Sequence, residues 1–226
     1  MQPDTSLAAA FEAWQWRLGK AAPASFAAAW QRVVAELLAG PQQPRRESEL
    51  HGLFRETSLQ SPATTAAASL GQLAEALAPF PRGTKQAPVI AALARWWLRT
   101  WGDDVDPDWR HDLEQCRREL RRIRGLGPET ADRLLLFAAG QSVFPVERAA
   151  LRIAVRHGWL DVPVDDAAAQ ALFRSAAGDD VTGLQQLSRW LHELGATHCG
   201  RIPECAGCPL EPYLPVGGPH EPPDST

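Results

Sequence analysis

The stretch from Arg117 to Glu147 constrains this chain more than any other. A basic helix-forming run, Arg117 to Arg124, meets Gly125-Leu126-Gly127-Pro128; a second helix-forming run follows, apolar from Leu134 to Ala139, and Glu147 comes after a short extended piece. Glycines at 125 and 127 permit positive φ and hence a sharp bend, and Pro128 suits the first helical position, where its missing N–H costs no bond. The pattern predicts two helices joined by an open hairpin. The second helix would start with unpaired amides and the positive end of its dipole, a site for a phosphate oxygen beside the arginines. A glycine-capped αα-hairpin without a ligand is the plainer alternative, and it would suffice for a lone Gly-x-Gly.

With 226 residues, 45% of them hydrophobic and 22% charged, the chain can bury a sizeable core as one large domain or two lobes. Alanine and leucine dominate, and alternating β-branched runs are few, so an all-α fold is predicted. The net charge of −4 argues against gripping nucleic acid by bulk electrostatics. The charge is uneven, however. Arg117, Arg118, Arg121, Arg122, Arg124 and Arg133 outnumber Glu119, Glu129 and Asp132 around the hairpin, which reads as a basic patch or as a solvated helix face. No apolar run is long enough to span a bilayer, and Met1-Gln-Pro-Asp-Thr5 is no secretory signal, so the expected location is cytoplasmic, without membrane contact. Cys199, Cys205 and Cys208 then read as metal ligands rather than a disulfide frame, with Cys116 packing as a small hydrophobe.

Helical periodicity is legible over residues 6–20, with Phe11, Trp14 and Leu18 on one face, and again over 26–38, 45–54, 72–77, 89–101, 149–158, 165–175 and 183–195. Residues 57–69 fit helix or loop, 79–87 read as a turn, and the acidic loop 103–109 is expected to cap the helix after it. Trp96, Trp97 and Trp101 read as core rather than a base-stacking box, and His157 as a complement to a helix dipole.

Ile123-Arg-Gly-Leu-Gly-Pro-Glu-Thr-Ala-Asp132 followed by Val143-Phe-Pro-Val-Glu-Arg-Ala-Ala-Leu-Arg-Ile153 resembles the helix-hairpin-helix DNA glycosylases of the endonuclease III type, and most closely the branch that includes 3-methyladenine glycosylases. The resemblance implies a two-lobed all-α fold: N-terminal helices (1–30) packing with the C-terminal lobe, a helical barrel lobe (31–145) holding the hairpin (117–139), a C-terminal lobe (146–215), and a flexible tail (216–226). It implies a monomer acting on double-stranded DNA with a damaged base. The DNA-binding residues it points to are Arg124, Gly125, Leu126, Gly127, Glu129 and Thr130, with Lys85 in the turn before a helix and Gln42 filling the gap left by an extruded base. A plain loop glutamine is the alternative for Gln42, where Pro41 departs from the family pattern.

The family's essential aspartate maps onto Glu147, one methylene longer, and its Schiff-base lysine onto Glu129, which cannot form an imine. A monofunctional glycosylase is therefore predicted, with Glu147 as catalytic carboxylate or else only a cap of the next helix. A non-catalytic DNA-binding relative, or a strand-cleaving enzyme using Lys85, are the other readings. The segment 199–214 resembles the family's iron–sulfur loop, but Leu214 stands where the fourth cysteine belongs. A [4Fe-4S] cluster, zinc completed by His198, and no metal all stay open.

Overall fold

The structure, a computed structural model, describes residues 6–18, 26–40, 46–107, 113–178 and 180–220. Among these there are eleven α-helices and no β-strand, only an isolated bridge between Cys199 and Pro203. The all-α prediction is met. The chain divides into two compact units, one made of Met1–Ala22 with Ser142–Thr226 and the other of Pro23–Gln141.

The continuous unit holds α2 (Ala29–Ala39), α3 (Glu47–Glu56), α4 (Pro62–Ala67), α5 (Leu70–Leu77), α6 (Gly83–Trp101), α7 (Leu113–Arg122) and α8 (Pro128–Phe137). Its core forms around α6, whose Ile90, Leu93, Ala94 and Trp97 are fully buried along one stripe. Trp30 of α2 meets Trp97 edge-on at 5.2 Å between ring centroids. Each indole finds an acceptor, Trp30 donating to the Leu59 carbonyl and Trp97 to that of Asp104, so neither ring buries an unpaired N–H. Trp96 and Trp97 are thus core, and the half-buried Trp101 packs edge-on against both.

Capping settles the ambiguous 57–69 segment. Ser61 and Thr64 form a reciprocal box with Pro62 in the first turn of α4, and Ser69 and Gln72 form another at α5. α6 starts earlier than its hydrophobic pattern suggests: Pro88 lies inside it, and Gly83 opens it because a Cβ there would overlap the Leu77 carbonyl. Lys85 therefore sits exposed in the first turn of α6, not in a preceding loop. The acidic loop caps helices far from it in sequence: Asp106 accepts from the Ala29 amide at 3.0 Å, and Asp103 from the Ala63 amide at 2.9 Å. The junction with the following helix, 108–112, where the loop is expected to cap, lies outside the described residues. The loop repairs the start of α2, where Ala28 has no side chain able to cap.

The discontinuous unit contains α1 (Leu7–Leu18), α9 (Arg148–Arg156), α10 (Asp166–Ala177), α11 (Val181–Thr197) and a short 3₁₀ turn, Glu211–Tyr213. Trp14 of α1 stacks on both Phe11 and Trp190 of α11, Phe11 meets Trp190 at a tilt, and Phe144 stacks on Phe173 at 4.3 Å. Asp165 and Asp180 cap α10 and α11. A turn at Gly217 and Gly218 brings the His220 amide to the Arg156 carbonyl.

Candidate nucleic-acid interface and candidate active site

The hairpin forms where the glycine signal places it, but its two glycines play different parts. Gly125 has φ +94, and a Cβ there would lie 2.7 Å from Val89 Cγ2. Gly127 has φ −73 and ψ 166, the extended geometry of an N-cap, and a Cβ on it would meet nothing within 4 Å. The expectation of positive φ at both is corrected: the bend requires only the first glycine, and the second leaves an open approach to the backbone. Leu126 is buried and anchors the turn, with its amide donating to the Ile123 carbonyl at 2.9 Å. Gly125, Gly127 and Pro128 face solvent at the uncapped start of α8, with Glu129 and Thr130 half-buried in its first turn. An uncapped N-terminus of this kind attracts anions through its amides and dipole.

The arginines divide into two groups. Arg117 grips Asp132 with two parallel bonds, 2.7 and 2.8 Å, and Arg121 reaches the same carboxylate at 3.3 Å. Arg133 pairs with the buried Glu36, tying α8 to α2. These three hold helices together, and Asp132, set just before the apolar run Leu134–Ala139, is the sequence signal that could have separated Arg117 and Arg121 from the rest, as Glu36 within the apolar α2 could for Arg133. Arg118, Arg122 and Arg124 are exposed. The basic surface is therefore narrower than the count of six suggests. Glu119 accepts from Trp96 Nε1 at 2.7 Å and from Gln115; the indole bond first, then the amide, hold its carboxyl below the usual carboxylate range. Gln42 lies outside the described residues.

In the other unit, the extended piece before α9 is fixed by Gln170, whose side-chain amide both donates to the Phe144 carbonyl and accepts from the Phe144 amide. This delivers Glu147 to the N-cap of α9, with its amide bonded to the Pro145 carbonyl. Its side chain makes no capping bond to α9. Instead, the buried carboxylate, only 10% exposed, faces His192 of α11, with Nδ1 at 2.9 Å from Oε2. Periodicity along α11 carries no hint of this partner, because the two residues are 45 positions apart and meet only through helix packing.

Cys199, Cys205, Cys208, His157, His198 and Leu214 line one pocket with Arg156. Arg156 donates to Cys199 Sγ at 3.3 Å and to the carbonyls of Gly200 and Arg201, while Arg152 donates to the Cys199 carbonyl. Burial, and then the neighbouring Cys205 and Cys199, push the Cys208 thiol up. Among the described residues no three His, Cys, Asp or Glu side chains converge closely enough to hold a metal ion. With Leu214 contributing an isobutyl group, the donor set falls one thiolate short of a four-cysteine cluster and does not fit it. Cys116 is buried on α7, in the continuous unit. Burial also lowers the pKa of His157, which weakens its expected role as a charged partner of the helix dipole. No helix among the described residues is long and apolar enough to cross a membrane.

No family model matches the sequence, and no curated protein does. Solved structures do resemble it. A non-covalent endonuclease III–DNA complex superposes with TM-score 0.69 at 16% identity, over 95% of this chain and 96% of that one. A trapped endonuclease III–DNA covalent intermediate, the estranged-adenine complex, gives 0.65 at 16% identity, over 93% and 94%. A thermostable thymine-DNA glycosylase gives 0.64 at 15% identity, over 90% and 91%. At such low identity the likeness speaks to architecture, and it agrees with what the hairpin motif implies: the chain has the fold of the helix-hairpin-helix DNA glycosylases of the endonuclease III type.

Proposed function

We propose that the protein is a monofunctional DNA glycosylase, a monomer that releases a damaged base, with alkylated purines the preferred class, from double-stranded DNA. The observation that carries this reading is the exposed bend at Gly125–Gly127, opening onto the uncapped start of α8, in a fold shared with endonuclease III bound to DNA. Backbone amides at the bend would bind a phosphate, with Arg124 and the exposed Arg118 and Arg122 adding charge.

In the chemical step the electron pair of the N-glycosidic bond leaves with the base, and the sugar acquires oxocarbenium character. Glu147 stabilises that positive charge and orients a water, which adds to C1′ and gives up its proton to the Glu147 carboxylate. Glu129 offers no amine, so no imine with the sugar forms and the strand stays intact. The decisive experiment incubates the protein with duplexes carrying a panel of lesions, with and without alkali. Free base with strand breaks only after alkali supports the reading; a borohydride-trapped covalent complex refutes it.

The acid at Glu129, in the first turn of α8 beside the phosphate site, favours a second reading: a non-catalytic protein that recognises distorted duplex. Such a protein would bind DNA with the salt dependence of phosphate contacts and release no base.

A further inference from the structure

We infer that His192 is a positioning residue for Glu147, holding through Nδ1 the carboxylate that base removal requires; the inference rests on the proposed role of Glu147. The direct observation is the 2.9 Å contact between His192 Nδ1 and Glu147 Oε2. Its geometry is set by rigid elements. Gly195 lies one turn beyond His192, and a Cβ on it would stand 2.5 Å from Cβ of Ala149, two residues beyond Glu147, so α11 and α9 touch at the level of the pair. Arg152 ties the same two helices again, bonding the carbonyls of Gly195 and Cys199.

A glutamate carries one more rotatable bond than an aspartate, and at an N-cap it has the first-turn amides within reach as a competing destination. The side chain takes neither freedom: it makes no capping bond and lies against the imidazole. A hydrogen bond to a charged acceptor fixes the extra torsion, and a displacement of about 1 Å at a reacting centre costs about a hundredfold in rate. With a side chain 37% exposed against 10% for the carboxylate, His192 is the outer member of the pair and screens one side of the acid from water. As donor from Nδ1, the neutral imidazole is held in the less common Nδ1–H tautomer.

Two measurements on the full chain test this. Nitrogen-15 NMR of the imidazole, recorded above the ordinary histidine pKa, should show the Nδ1–H tautomer for His192, reverting to Nε2–H in Glu147→Ala. An Nε2–H tautomer in the unaltered protein overturns the inference whatever the activity. For single-turnover base release, His192→Ala should slow the chemical step by about tenfold to a hundredfold with duplex Kd unchanged, and His192→Asn, whose amide donates from nearly the position of Nδ1, should restore most of it. If Glu147→Gln abolishes release while His192→Ala leaves it intact, the positioning role falls and the glycosylase reading survives. If Glu147→Gln releases base at the unaltered rate, or no lesion is processed by the unaltered protein, the catalytic role of Glu147 falls and that of His192 with it.

Discussion

Arg117 and Asp132 lock the two arms of the hairpin together: Nε and Nη2 of the arginine meet Oδ1 and Oδ2 of a carboxylate that is only 3% exposed. A bidentate pair with this burial fixes orientation as well as distance between α7 and α8. It makes the exposed bend at Gly125 depend on an ion pair whose carboxylate is buried.

Asp132→Asn should therefore cost about 1–3 kcal/mol of stability, because it removes the buried charge that holds Arg117 and Arg121 to α8, leaving Arg117 its weaker 3.8 Å contact with Glu114. Urea unfolding is the measurement. A loss below about 0.5 kcal/mol would mean that solvent already screens the pair.

The two hairpin glycines should respond in opposite ways to alanine. Gly125→Ala meets both a positive φ and Val89, and should destabilise the protein by about 1–3 kcal/mol. Gly127→Ala enters open space at an extended φ, so stability should change by less than about 0.5 kcal/mol. Duplex affinity should nonetheless fall by about tenfold, since a methyl group there blocks close approach of a phosphate to the amides. Thermal melts and fluorescence anisotropy with labelled duplex would separate the two effects.

Trp96→Phe should flatten the acid limb of stability. Glu119 is held below its ordinary pKa of 4.5, chiefly by the indole bond, so the unfolded chain takes up its proton first as pH falls. The stabilisation is present above 4.5 and lost as pH drops through the folded-state value. Urea midpoints between about pH 6 and pH 3 should show a shallower decline in the variant, whose pH-independent loss from repacking is read separately at neutral pH.

Leu214→Cys should convert a loop that does not fit a four-thiolate cluster into one that does. The variant, made under conditions that supply iron and sulfide, should carry the brown absorption of an iron–sulfur cluster. The unaltered protein should be colourless, with a melting temperature indifferent to chelators. A brown unaltered protein would show that three cysteines and another donor suffice.

Local chemistry alone determined the helices, the bend and the rings of the core. Gly125 and Pro128 act on their own backbone torsions and the tryptophan spacing in α6 on a stripe one helix wide, so each is legible within a short window; Ser61 and Ser69 act on amides three residues away, but the composition of 57–69 fitted helix and loop alike. The same holds for Glu147 as the acid at the head of α9. Relations between distant segments were not legible, because packing decides them. Only the tertiary structure committed Arg117, Arg121 and Arg133 to buried acids of other helices, Arg121 reaching Asp132 from an exposed position, while Arg118, Arg122 and Arg124 lie in solvent. It also sent Asp103 and Asp106 to helices earlier in the chain, and gave Glu147 its partner in His192. A charge in a sequence states what a side chain can bind; which partner lies within 3 Å is set by how apolar faces bury one another, and that is a property of the whole fold.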